Sequence, residues 1–281
     1  MPFAIELLAA LSLSEITLAM DGSTVGRNCI CLMVSVIYKN RALPLAWFVI
    51  EGSKGHLPEI MHLDLIDQVH KIVPDNATVV FVGDGEFDGI SLLKKIESFD
   101  WFYVCRTGKA ITYYLNGEKR KVGELQHDIS GNYVFVPTIL FTSNKYPSSL
   151  VCCWEKCYKE PIFLVTNLSS AEEASRFYKR RFKIETFFSD EKSRGFNLHK
   201  SHLEDSIRIS RLMIAACLAY IWVIYWGANS LATGLNKIIH RTNRCDLSLF
   251  QLGLRTLDYF LNRGIEIPVP THSLLYSKAT G

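Results

Sequence analysis

Tyr178 to Lys192, YKRRFKIETFFSDEK, is the stretch on which the reading turns. Tyr178, Arg181, Glu185 and Lys192 follow one another at steps of three, four and seven. At about 100° per residue, those steps bring all four side chains to within roughly 60° of one another on an α-helix. One helical face then presents a phenol, a guanidinium, a carboxylate and an ammonium together. Such a face suits a phosphodiester held beside a divalent cation: the carboxylate binds the ion while its cationic neighbours and the phenol grip phosphate oxygens. Phe177, Ile184 and Phe188 form an adjacent apolar stripe, so the helix can pack and present chemistry at once. Ser170-Ala-Glu-Glu173 is a capping box and sets the start, which predicts one helix running from there toward Lys192.

Outward from this helix, two further carboxylates sit at strand ends. Residues 15–21 (EITLAMD) alternate, with Ile16, Leu18 and Met20 on one side and Thr17, Ala19 and Asp21 on the other, which predicts a strand ending in an acid. The runs 29–38 and 42–51, split by Lys39-Asn40-Arg41, read as a hairpin. Residues 57–72 have a helical apolar period. Residues 78–82 (TVVFV), apolar on both faces, predict a central strand that delivers Asp84 at its tip between Gly83 and Gly85, glycines that permit close backbone approach. Glu86 and Asp88 compete for the role of Asp84, and Asp88 is expected to cap the helix near 89–98 instead. A further strand is expected over 101–105, then β-type runs with turns over 109–168, a polar loop RGFNLHKSH after Lys192, a buried helix over about 205–226 and a weaker one over about 246–262. The tail from Ile265, with Pro268 and Pro270, is expected to be irregular.

Composition narrows the classes. With 48% hydrophobic and 21% charged residues, the 281-residue chain can bury a large core and is not a disordered segment. The net charge of +3 is no signature, yet residues 176–211 hold ten Lys or Arg against five acids, including Arg194 and Lys200 beyond the helix. Basicity that overlaps metal-type carboxylates points to a polyanion. The eight cysteines lack paired CxxC motifs and nearby histidines, and Cys152, Cys153 and Cys157 make a poor zinc set, so they read as core residues in a reducing compartment. Residues 1–22 carry an apolar patch without the basic flank of a signal peptide. The longest uncharged apolar run, 212–226, is short of the roughly 20 residues a bilayer requires and reads as a core helix, with no membrane partner expected.

The motifs MDGST around Asp21, VGDGEFDG around Asp84 and YKRRFKIETFFSDEK together resemble the DDE transposases of the insertion-sequence group that carries a Y-(2)-R-(3)-E-(6)-K signature. The resemblance covers most of the chain. It implies a ribonuclease-H-like α/β fold, a mixed sheet flanked by helices with a β-rich insertion at about 109–168 before the Glu-bearing helix, all within one catalytic domain that includes a helical part at about 203–264. It implies that Asp21, Asp84 and Glu185 are the catalytic residues and ligate two Mg²⁺ (or Mn²⁺) ions, and that Tyr178, Arg181 and Lys192, with Arg194 and Lys200 beyond them, contact DNA. The implied activity is strand cleavage at transposon ends followed by strand transfer, by a homodimer on paired ends, in the bacterial cytoplasm at the nucleoid. Only twenty residues precede Asp21, so the family's N-terminal recognition region is expected to be absent. Competing readings are a nuclease that only hydrolyses and an inactive DNA-binding remnant. A two-carboxylate glycosidase leaves the basic helix without a purpose.

Overall fold

The structure, a computed structural model, describes residues 2–52, 57–155, 159–241 and 244–267. Cys157, His56 in the loop before Leu57, and the proline-bearing tail from 268 lie outside the described residues. The chain divides into two compact units, Met1–Thr24 with Ile30–Phe187 and Val25–Cys29 with Phe188–Gly281.

The first unit is built on one ten-stranded sheet. Helix α1 (Pro2–Leu11) precedes β1 (Glu15–Val25), β2 (Cys29–Tyr38) and β3 (Arg41–Glu51). Helix α2 (Glu59–His70), β4 (Thr78–Gly83), α3 (Ile90–Glu97) and β5 (Phe102–Arg106) alternate after them. Five more strands follow: β6 (Thr112–Leu115), β7 (Glu118–Lys121), β8 (Tyr133–Phe141), β9 (Tyr146–Cys153) and β10 (Ile162–Thr166). The order across the sheet is β3-β2-β1-β4-β5-β10-β9-β8-β6-β7. Strand β4 runs parallel to both β1 and β5, whereas β10 onward pair antiparallel. This is the expected ribonuclease-H-like mixed sheet. The β-rich stretch extends it by five strands on the β5 side.

Local chemistry explains the elements. Residues 79–83 of β4 are all buried, as a strand covered on both faces must be, and its Val-Val-Phe-Val run suits that place. Pro137 breaks β8 at a register shift between Val136 and Ile139, where a proline costs no ladder hydrogen bond. The edge strand β7, Glu-Lys-Arg-Lys, is exposed at every position, and its charges deter edge-to-edge pairing. Helix α4 (Ala171–Arg180) starts as the capping box predicts, with the Ser170 hydroxyl accepting the Glu173 N–H at 3.3 Å. It packs across β4, β5, β8 and β9.

Several expectations change. Strand β1 does not stop at Asp21 but continues four residues to Val25, and Ile16 to Met20 are all buried because both faces of the strand are covered. Residues 2–11, read only as an apolar patch, form α1, which buries Ala4 and Leu8 and packs against β3. The single helix expected from Ser170 to Lys192 is two, α4 and α5 (Phe182–Glu191). At Arg181 the ladder tightens to three-residue steps, with Arg181 N–H donating to Tyr178 O at 3.0 Å and Ile184 N–H to Arg181 O at 3.1 Å. Asp88 is not a cap: α3 begins after Gly89 without a side-chain cap, and the Asp88 carboxyl faces the Thr107 hydroxyl.

In the second unit, α6 (Ser206–Thr233) lies against α8 (Leu249–Asn262), with the short α7 (Asn236–Ile239) between them in sequence. The α6–α8 approach is close enough that a Cβ on Gly227 or Gly253 would stand 2.0 Å from Leu249 O or 1.9 Å from Val223 O. Among the described residues α6 is the one helix long and apolar enough to cross a membrane by length and composition. Instead of a loose polar loop, residues 190–200 form a tight turn. Phe196 N–H reaches Asp190 O at 3.2 Å, a Cβ on Gly195 would strike the Phe250 ring at 2.3 Å, and the turn ends in a 3₁₀ helix, Leu198–Lys200.

One contact at the tip of β4 yields a test. A Cβ on Gly83 would fall 2.6 Å from the Phe87 Cβ, so Gly83→Ala is expected to destabilise the protein by about 1–3 kcal/mol in chemical denaturation. Unchanged stability would contradict this packing.

Candidate active site

Sheet register brings the two aspartates together. Strands β1 and β4 pair in parallel from Glu15↔Thr78 to Ala19↔Val82. The same offset carried two residues further sets Asp21, four residues before the end of β1, beside Asp84, the residue after β4, on strands about 4.8 Å apart. Asp21 is the first residue of β1 to emerge from full burial, and its side chain is 16% exposed. The Gly22 N–H donates to Asp21 Oδ1 at 2.8 Å, and the Glu86 N–H to Asp84 Oδ1 at 3.0 Å. Each carboxylate is thus aimed by the backbone that follows it.

Helix α4 brings the guanidinium. Arg180 Nη1 donates to Thr17 Oγ1 at 2.9 Å and to Glu15 Oε1 at 3.1 Å, pinning the end of the helix to the strand that bears Asp21. Arg181, at the helix break, is 5% exposed. Its Nη2 donates to Glu185 Oε1 at 2.6 Å, and its Nη1 stands 4.0 Å from Asp21 Oδ2. The guanidinium lies over the rings of Phe182 (4.8 Å) and Tyr178 (5.6 Å). Arg181 therefore links the carboxylate of the helix to that of the strand. The tight turn keeps Tyr178 and Arg181 buried while Glu185, one turn on, is half exposed.

The electrostatics record the crowding. Burial, then the neighbouring Asp84 and, more weakly, Glu185 push the Asp21 carboxyl up to about 7, against the pull of Arg181 and the Gly22 N–H. Burial raises the Tyr178 phenol as well, opposed by Arg181 and Arg106. Burial works against the Arg181 charge, yet Tyr178, Glu185 and Asp21 together hold it above its ordinary range.

Asp21, Asp84, Glu185, Tyr178 and Arg181 come together in the first unit. Among the described residues no three His, Cys, Asp or Glu side chains already stand as a finished metal cage, since Glu185 is turned to Arg181. The donor set nevertheless fits a hard divalent ion: oxygen ligands only, two of them adjacent and mutually repelling, the third half exposed at the edge. Lys192, Arg194 and Lys200 belong to the second unit. Arg194 and Lys200 are exposed there, Lys192 is half-buried, and the Arg194 carbonyl accepts from Gln251 Nε2 at 2.6 Å.

Asp190 and Glu191, at the end of α5, are each only 2% exposed. Burial and the adjacent Asp190 push the Glu191 carboxyl up to about 8, and neither of its oxygens has a hydrogen-bond partner among the described residues. Gly85 is not crowded as Gly83 is: the nearest atom to a Cβ there is Arg106 O at 3.9 Å. The tether made by Arg180 was missed. Its position next to Arg181 was visible, but not which of the adjacent arginines reaches back to β1.

The raised Asp21 carboxyl has a consequence for stability. Its folded pKa of about 7 exceeds the ordinary 3.8, so without metal its contribution is full below pH 4 and is lost as pH rises toward 7. The loss is on the order of 4 kcal/mol. Asp21→Asn abolishes it. In EDTA the variant should melt higher than the wild type at pH 8 and no higher at pH 4. A variant less stable than the wild type at pH 8 would contradict the crowding.

A family model described as Transposase DDE domain matches residues 17–222, about three quarters of the chain, and this span includes Asp21, Asp84 and Glu185. No curated protein matches the chain significantly. Among solved structures, a piggyBac transposase synaptic complex with hairpin DNA is 13% identical, with a TM-score of 0.48, over 93% of this chain and 56% of that one. Ciona intestinalis endonuclease V, in complex with a 24mer DNA containing an inosine, is 12% identical, with a TM-score of 0.39, over 68% of this chain and 95% of that one. This chain spans just over half the length of the piggyBac chain. The family match stands on its own: the chain belongs to the Transposase DDE domain family and carries a DDE transposase catalytic domain.

Proposed function

We propose that this chain is the catalytic core of a DNA transposase of the insertion-sequence subgroup marked by Tyr178, Arg181, Glu185 and Lys192, cutting transposon ends and joining them to target DNA. The observation that carries the reading is the juxtaposition of Asp21 and Asp84 on parallel strands, with Arg181 joining Asp21 to Glu185. Asp21, Asp84 and Glu185 would hold two Mg²⁺ or Mn²⁺ ions. When bound, such a pair supplies Lewis-acid activation of the attacking and leaving oxygens of an in-line displacement.

The chain's own residues then bind and orient. Arg181, planar and already buried against Tyr178 and Phe182, offers a fixed fork to phosphate oxygens. The Tyr178 phenol adds a hydrogen bond beside it. Lys192, Arg194 and Lys200 also contact DNA phosphates in this reading. In the first displacement, water attacks phosphorus and the P–O3′ bond breaks, freeing a 3′-hydroxyl. In the second, that hydroxyl attacks a target phosphodiester, one ester bond replacing another. The implied partners are transposon-end and target DNA, with a homodimer on paired ends, in the cytoplasm at the nucleoid.

Glu185→Gln should abolish Mg²⁺-dependent nicking of a cognate end while leaving DNA binding in place, as read by gel shift. A labelled 3′-hydroxyl end supplied with plasmid target should give joined product, whereas hydrolysis alone would demote the chain to a nuclease. Nicking that never appears in the wild type would favour the remnant. Arg181→Ala should slow cleavage by about 10²–10³, and unchanged cleavage would remove its assigned role. End binding should fall steeply with salt, and Lys200→Ala should lower the log–log slope by about one; an unaltered slope would place Lys200 away from DNA.

A further inference from the structure

The turn that follows β4 is clamped by one of its own side chains. Asp84 Oδ1 accepts the Glu86 N–H at 3.0 Å, and the Asp84 carbonyl accepts the Phe87 N–H at 3.1 Å. The direction of the Asp84 carboxylate therefore follows the backbone at 86 and 87. The Glu86 carboxylate reaches away from the turn toward the start of α2. Its Oε1 accepts the Leu57 N–H at 2.7 Å and stands 3.6 Å from His62 Nε2. The His62 side chain is only 4% exposed, and its ring packs against Phe87 with centroids 4.9 Å apart. His62, Glu86 and Glu59 line a cavity of about 260 Å³ beside Gly85 and Gly89.

His62 Nε2 makes no hydrogen bond among the described residues. A buried ring nitrogen left unpaired costs stability, and such groups call for an explanation beyond packing. Here the nitrogen faces the carboxylate that fixes the turn bearing Asp84. A hydrophobic side chain at 62 would pack on Phe87 as well without that cost.

We propose that Glu86 is a positioning residue for the metal site: anchored by the Leu57 N–H, with the His62 ring as its near neighbour, it holds the 84–87 turn so that the Asp84 carboxylate stays beside Asp21. The proposal rests on the reading of Asp21 and Asp84 as metal ligands. Glu86 itself is not a ligand. It acts through its own backbone N–H on the carboxylate two residues earlier, as outer-shell groups orient inner ones in other metal sites. Without the clamp the turn can pivot, and an ion must order Asp84 as it binds.

The test is calorimetric titration of the full chain with Mn²⁺, alongside thermal denaturation in EDTA. Glu86→Ala should weaken Mn²⁺ binding about 10–100-fold. Glu86→Gln keeps an oxygen for the Leu57 N–H and should stay within about threefold of the wild type by the same reasoning. His62→Phe keeps the ring on Phe87 and removes the nitrogens; it should weaken binding in the same direction by less than Glu86→Ala does. Wild-type affinity in Glu86→Ala overturns the clamp. So does a loss in Glu86→Gln equal to that in Glu86→Ala, which would make Glu86 a direct ligand. Should Glu86→Ala not fold, unchanged affinity in His62→Phe overturns the clamp instead. Asp84→Asn separates this proposal from the reading beneath it. Unaltered Mn²⁺ affinity there removes the metal site itself, whereas loss there with wild-type affinity in Glu86→Ala removes only the clamp.

Discussion

Parallel pairing of β1 with β4 puts the carboxylates of Asp21 and Asp84 side by side, and their repulsion adds to burial in raising the Asp21 carboxyl. At an effective dielectric near 20, like charges about 5 Å apart repel by about 3 kcal/mol. The fold tolerates it by arranging donors around the pair. The Gly22 and Glu86 N–H groups hold one oxygen of each aspartate, and Arg181 stands 4.0 Å from Asp21 while pairing with Glu185. A divalent cation relieves the same repulsion more fully. On the proposed metal-binding reading, the pair would give up stability for function.

Strand identities were legible because burial writes itself into composition. The Val-Val-Phe-Val run of β4 reads as a central strand and the apolar β2 and β3 as a hairpin, and the capping box located the start of α4. The three acids were legible as candidates for the same reason: each follows or interrupts an apolar pattern. Their convergence was not readable from pattern alone, because it depends on the β1–β4 register, a long-range pairing that no local spacing encodes.

The helix break at Arg181 shows a different limit. A run of good helix formers from Ala171 to Glu191 predicts one rod, yet tertiary contacts tighten a single turn in it. Arg180 is held by Thr17 and Glu15 while Arg181 is drawn between Asp21 and Glu185, and the turn adjusts to satisfy both. Asp190 and Glu191 are buried where the chain turns tightly at 190–196, a packing that the local pattern of charges does not announce. Propensity sets where helices form, and packing sets how they rotate.

Anomalous diffraction from crystals grown with Mn²⁺ tests the central claim most directly. The account predicts an anomalous peak between the carboxylates of Asp21 and Asp84, with the Glu185 carboxylate turned from Arg181 toward it. Manganese bound elsewhere on the protein, with Asp21 and Asp84 still facing each other bare, would contradict it.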